Sequence, residues 1–368
     1  MRVLIFYFLI FSFIDAKYLD SKSCAECHQD IYNEHIKSMH HHSSIHKDSF
    51  HEAVKNKTTP DKYDCAFCHS PASPNLLALK NGEERPNNRN SEEIDGVSCF
   101  YCHQINKVFE SKHQNINFYG YQGGKPTFFA NLSEPDFSDK HANQSNEIFQ
   151  NSRVCMGCHS HKYNSSLVEI CNTKSALDET ISDCLSCHMP KTAGSPVNVN
   201  KKGRSEYATH GFLGIRDEGM VKKAVELKLA QLKDGFRLEI KNKMGHPVIL
   251  QPMRLKYVEI EVIRNGKIVW KNFDKSPLED KESTFTITFK NSDNVEVLPP
   301  QAKDFLFKNN LSRNKTKVIE YKVQLEPKDK IKATWKSMIS RPQLAEELGL
   351  SNEYRKIYEG ISETLIIK

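Results

Sequence analysis

Cys24-Ala25-Glu26-Cys27-His28 is the first of five stretches built to one pattern. The others are Cys65-Ala66-Phe67-Cys68-His69, Cys99-Phe100-Tyr101-Cys102-His103, Cys155-Met156-Gly157-Cys158-His159 and Cys184-Leu185-Ser186-Cys187-His188. Ten of the eleven cysteines are used this way, and only Cys171 stands outside. At these cysteine and histidine frequencies, random placement would give on the order of 0.01 copies of C-x-x-C-H. The spacing has a chemical reason. Two thiols three positions apart can add to the two vinyl groups on one edge of a haem, and an imidazole directly after the second thiol reaches the iron from below. Five covalently attached haem c groups are therefore expected, with His28, His69, His103, His159 and His188 as proximal iron ligands. A zinc knuckle, a redox-active dithiol or a structural disulfide also uses C-x-x-C, but none of them needs a histidine after every copy.

The N-terminus supports export. Met1-Arg2 precedes an apolar run over 3–14, the form of a signal peptide, with cleavage expected after Ala16. The run is too short to span a bilayer, which takes about 20 apolar residues, so no stable membrane span is expected once it is removed. The composition of the whole chain, 38% hydrophobic, is that of an ordinary water-soluble protein. A formal charge of +6, from 52 basic and 46 acidic residues, is a small imbalance spread along the chain; it does not point to nucleic acid. The expected location is the periplasm.

All five motifs lie before residue 189, and no cysteine follows. Three segments are expected: a signal peptide over 1–16, a pentahaem domain over 17–219, and a C-terminal domain over 220–368. The haem domain should be helix and loop with little sheet, because porphyrins supply much of its apolar volume; one helix is expected over 29–39. The C-terminal part changes period. Val225, Leu227 and Leu229, then Phe236, Leu238 and Ile240, then Phe285, Ile287 and Phe289 alternate with polar residues, as strands do. Asn265-Gly266 marks a tight hairpin between 257–263 and 268–273. Further strands are expected at 318–325, 331–335 and 364–367, with a short helix at 343–348. The fold class is thus α+β, a helical and loop-rich multihaem domain followed by a β-sandwich.

The haem half resembles the multihaem cytochromes c related to the tetrahaem cytochrome that accepts electrons from hydroxylamine oxidoreductase in ammonia oxidisers. Ser38-Met39-His40 after the first motif, His113 after the third, the Cys187-His188-Met189-Pro190 ending and His210-Gly211-Phe212 carry the likeness. It implies distal iron ligation by His40, His113 and His210. His141, which precedes the fourth motif in a loop-and-helix segment, is taken as a fourth distal ligand from its position. His41, His42, His46 and His51 read as surface or outer-shell groups, and Cys171 as a buried apolar thiol. Gly245-His246-Pro247 resembles the entry of a C-terminal β domain in larger relatives. The resemblance also implies that any iron left open is that of Cys65, Cys68 and His69.

The function expected is electron transfer between respiratory partners, such as quinol-oxidising membrane cytochromes or terminal reductases. The alternative is a small reductase or oxidase of nitrogen or sulfur oxyanions working at one five-coordinate haem. A third class makes the β domain a docking module.

Overall fold

The structure, a computed structural model, describes residues 18–119, 126–172 and 184–368. The expected signal peptide lies outside the described residues. None of the described helices is long and apolar enough to cross a membrane.

The first half is made of short helices, turns and small two-stranded pairings. Its longest helix, Ser49–Thr58, begins where the Asp48 carboxylate accepts from the backbone N–H of Phe50 at 3.1 Å and His51 at 3.4 Å. The helix expected over 29–39 is shorter, Gln29–His35, because the chain turns at Ile36 and then winds through the histidine-rich segment. Small pairings occur between Ile105–Phe109 and Ile116–Tyr119, Thr127–Ala130 and Ala142–Ser145, His161–Tyr163 and Glu169–Asn172, and Lys191–Ala193 and Glu206–Ala208. Their apolar clusters are modest: one gathers Tyr101, Ile105, Val108, Phe129, Phe149 and Val154, another Ile45, Tyr63, Ala66 and Leu79.

The second half is sheet. Val225–Leu232, Gly235–Asn242 and Thr316–Lys322 form a three-stranded antiparallel sheet with Gly235–Asn242 central. A larger open sheet runs Glu296–Val297, Thr284–Lys290, Leu255–Arg264, Lys330–Met338, Ile357–Ile366, with Lys267–Lys271 and Asp304–Asn309 added at its sides. The two sheets share one apolar core that includes Phe236, Leu238, Ile240, Val258, Ile260, Phe285, Ile331 and Trp335, the arrangement of a β-sandwich. Asn265 (φ 49°) and Gly266 (φ 75°) both adopt left-handed conformations, and Arg264 pairs with Lys267 across them. A two-residue hairpin needs this backbone, and Asn-Gly supplies it at low cost. Asp304–Asn309 escaped the sequence reading because one face is exposed and only half-buried residues alternate with it. The last strand begins at Ile357 rather than 364; most of its side chains are exposed, so hydrophobicity does not mark its start.

The halves are joined by packing. Phe50, from the helix Ser49–Thr58, is a member of the sandwich core, with Ala53 and Val54 against it. Tyr354 Oη meets Ser49 Oγ at 3.1 Å and donates to Asp48 at 3.2 Å. Asn164 donates to the carbonyls of Pro299 and Ala302, at 3.0 and 2.9 Å.

Candidate metal centres

Each motif folds as a tight helical turn. The N–H of His28 reaches back to the Cys24 carbonyl at 2.9 Å, His69 to Cys65 at 3.1 Å and His159 to Cys155 at 2.9 Å. The third and fifth motifs lie in the helices Cys99–Gln104 and Cys184–His188. Residues i, i+3 and i+4 share one side of such a turn, so both thiols and the imidazole could serve one planar group. Caps fix where two of the turns begin: Asp20 accepts from Ser23 N at 2.8 Å, and Ser98 from Tyr101 N at 3.1 Å. All ten motif cysteines are unbridged thiols. Thiols of different motifs approach one another, Cys24 with Cys99, Cys68 with Cys158 and Cys155 with Cys184.

Opposite four of the five motif imidazoles stands a second one from far along the chain. Ring centroids are 6.4 Å apart for His28 and His141, 5.9 Å for His159 and His40, 6.2 Å for His103 and His210, and 6.4 Å for His188 and His246. Two imidazoles bound through Nε2 to one metal at about 2.0 Å hold their centroids roughly 6 Å apart. The four gaps therefore have the width that one iron spans. Backbone carbonyls set the ring orientation: His28 Nδ1 donates to Pro196 O at 2.7 Å, His103 to Phe129 O at 2.7 Å, His188 to Leu213 O at 2.5 Å, His210 to Ala208 O at 2.8 Å and His246 to Pro247 O at 2.8 Å. A carbonyl only accepts, so the proton sits on Nδ1 and the Nε2 lone pair is left for a metal. Burial pulls His40 and His210 down to about 3 and His246 to about 4, and it also lowers His103, His141 and His159. These rings stay neutral, the form that ligates.

The second motif differs. His51 lies 3.9 Å from His69 between centroids, and the Nδ1 atoms of both rings face the same carbonyl, Ser43 O, at 3.4 and 3.2 Å. His51 and His69 stand side by side, with no gap between them. His51 Nε2 is buried without a hydrogen-bond partner, and burial pulls this ring down to about 4.

Of the expected distal residues, His40, His141 and His210 face motif imidazoles. His113 does not. It is exposed between the strands Ile105–Phe109 and Ile116–Tyr119, and among the described residues its ring faces none of the five motif histidines. The reason is topological: those strands form a hairpin that folds the segment after the third motif outward. His246, from the sheet-rich half, takes a place that spacing could not reveal; its Gly-His-Pro setting was the sole signal. His51, expected to be a surface or outer-shell group, is half-buried with its ring beside that of His69.

His41 is held in a polar network of its own. Asp95 lies 3.3 Å from His41 Nδ1 and also accepts from Tyr18 Oη at 2.7 Å and from Ser21 N and Oγ, both at 2.8 Å, while Lys47 Nζ reaches His41 Nε2 at 2.8 Å. Cys171 is half-buried opposite Lys162, and burial pushes its thiol up to about 11, so it is not an activated thiolate.

Residues 23–104 match the family model described as "Cytochrome c554 and c-prime". No curated protein matches the chain. Among solved structures, a penta-haem cytochrome c552 from Thermochromatium tepidum is similar, with a TM-score of 0.74 at 20% sequence identity over 95% of this chain and 99% of that one. At that identity the likeness is one of fold: the architecture is that of a multihaem c-type cytochrome.

Proposed function

We propose that this chain is a periplasmic c-type cytochrome that holds five haems and passes electrons between redox partner proteins. The observation that carries the reading is the set of four facing imidazole pairs, each belonging to a motif whose two unbridged cysteines are spaced for thioether attachment. Bound haem supplies a one-electron Fe(II)/Fe(III) couple, which bis-histidine ligation tends to hold at lower potential than His/Met ligation. The cysteines at 24, 27, 65, 68, 99, 102, 155, 158, 184 and 187 anchor the groups, and His28, His69, His103, His159 and His188 ligate from the motif side. His141, His210, His40 and His246 close the first, third, fourth and fifth sites. The approaches of Cys24 to Cys99, Cys68 to Cys158 and Cys155 to Cys184 bring neighbouring groups close enough for rapid exchange. In domain terms, residues 17–219 carry the haems, and residues 220–368 form the sandwich that lends His246 to the last of them. The partners are proteins with exposed redox groups, such as quinol-oxidising membrane cytochromes or terminal reductases. The fold and the family match are consistent with a carrier rather than a catalyst. Intact mass of the exported protein tests the count: five added haems and loss of residues 1–16 are expected, and fewer than five would overturn it.

A second reading rests on the second motif. Because His51 and His69 share the Ser43 carbonyl, their Nδ1 atoms are no farther apart than those two bonds allow. Imidazoles on opposite faces of one iron hold theirs roughly 8 Å apart. His51 therefore lies beside His69 and, among the described residues, no other imidazole faces His69 in a ring contact, which would leave that iron a side where a small oxidised nitrogen or sulfur species can bind. Cyanide or nitric oxide should bind one iron per chain, and His69→Gly should abolish that binding while the other haems stay low-spin. Purely low-spin oxidised protein would leave only the carrier.

A further inference from the structure

The sheet-rich half carries two neighbouring cations, Arg254 and Lys256, and Lys256 acts on His246, whose ring faces that of His188 in the fifth motif. Arg254 and Lys256 are two residues apart at the start of the strand Leu255–Arg264, so they lie on one face of it. Lys256 Nζ donates to Val248 O at 2.9 Å, two residues beyond His246. Arg254 donates through Nη1 to Ile339 O at 3.1 Å and through Nε and Nη2 to Gln251 Oε1 at 3.3 and 2.8 Å. A guanidinium has five N–H donors and an ammonium three, so each group keeps two donors in hand. Among the described residues, neither forms an ion pair with a carboxylate, although lysines and arginines elsewhere in the chain commonly do. Asp48 acts electrostatically on Arg254, but its carboxylate accepts from the start of the helix Ser49–Thr58 and from Tyr354.

Withdrawing a cation from water without a partner is costly, and the cost appears here as depressed basicity. Burial pulls Lys256 down to about 8 and Arg254 down to about 10. An anion placed between them would remove that penalty. Lys256 also acts electrostatically on His246, whose ring lies 6.4 Å from that of His188 with the planes 14° apart.

We infer that Arg254 and Lys256 form a carboxylate-binding site for a propionate of the haem held by Cys184, Cys187 and His188. The inference rests on the reading that His188 and His246 ligate that haem. A planar guanidinium suits a carboxylate in two-point contact, and the ammonium adds a third donor. The sandwich would then grip the fifth haem at two places, through an imidazole at the iron and through cations at the porphyrin edge.

The test uses the full-length haem-loaded protein and its variants Lys256→Gln, Arg254→Gln and Lys256→Arg. The fifth haem's signal is identified by its loss of low-spin character in His246→Ala, and each potential is followed by paramagnetic resonance during redox titration. Removing a positive charge near an iron disfavours reduction. Each glutamine variant should lower the reduction equilibrium constant of that one haem about tenfold, equivalent to about 59 mV for one electron, while Lys256→Arg keeps the wild-type value. A structural role alone would not be rescued by arginine. Potentials unchanged in both glutamine variants, an equal shift at every haem, or a wild-type potential that moves with phosphate concentration would each overturn the inference and leave the His188–His246 reading intact. A fifth haem that stays low-spin in His246→Ala would sink that reading and the inference with it.

Discussion

At the scale of single residues, what could be read from the sequence is what depends on neighbours in the chain. The expected proximal histidines follow from spacing, because a helical turn brings i, i+3 and i+4 together wherever it occurs. Their partners depend on where the chain returns, so local sequence could not tell His113 from His246. His113 is exposed, whereas His246 faces His188. Two single substitutions separate them. His246→Ala should convert one low-spin haem to high-spin, seen as a new axial signal in paramagnetic resonance, while His113→Ala should leave the spectrum as it was. A spectral change in the second variant would restore His113 to the ligand set.

At the scale of elements, the strands were legible where one face is buried and the other wet, as in Gly235–Asn242, and faint where both are partly exposed, as in Asp304–Asn309. Helices of the haem half gave little warning of their ends, since motif chemistry and caps define them more than apolar period does. Ser49–Thr58 is the most consequential of these helices. It carries Phe50 into the sandwich core and His51 to the second motif, and Asp48 starts it. Asp48→Ala removes the cap and the acceptor of Tyr354 together. Loss of an N-cap costs about 1 kcal/mol, and the second bond adds a further ~1 kcal/mol. Chemical denaturation should record a lowered midpoint, with Asp48→Asn recovering part of the difference. An unchanged midpoint in Asp48→Ala would mean that packing of Phe50 alone holds the helix.

At the scale of the molecule, long-range polar ties supplement small apolar clusters in the haem half. Asp95 binds Tyr18, Ser21 and His41 at once, joining the start of the first motif to the segment that precedes the third. Burial alone would raise this carboxyl, but the hydrogen bonds from His41, Tyr18 and Ser21 outweigh it and hold it at about 2, against an ordinary value of 3.8. The stabilisation is complete above the ordinary value and is lost as pH falls from there through about 2, because the unfolded chain takes up a proton that the folded chain refuses. Resistance to urea should decline across that window in the wild type and less so in Asp95→Asn; parallel curves would show that Asp95 is not a source of acid sensitivity. The facing histidines have another consequence. His28 and His141, His40 and His159, and His103 and His210 are far apart in the chain, and the partner of His188 comes later still, from the sandwich. If the motifs take up haem as the chain emerges N-terminus first, an iron held at any of these four pairs would wait half-ligated for a distant segment to arrive. An iron at the fifth motif would wait for the sheets themselves, so its final coordination would serve as a built-in signal, visible in colour, that the whole chain has finished folding.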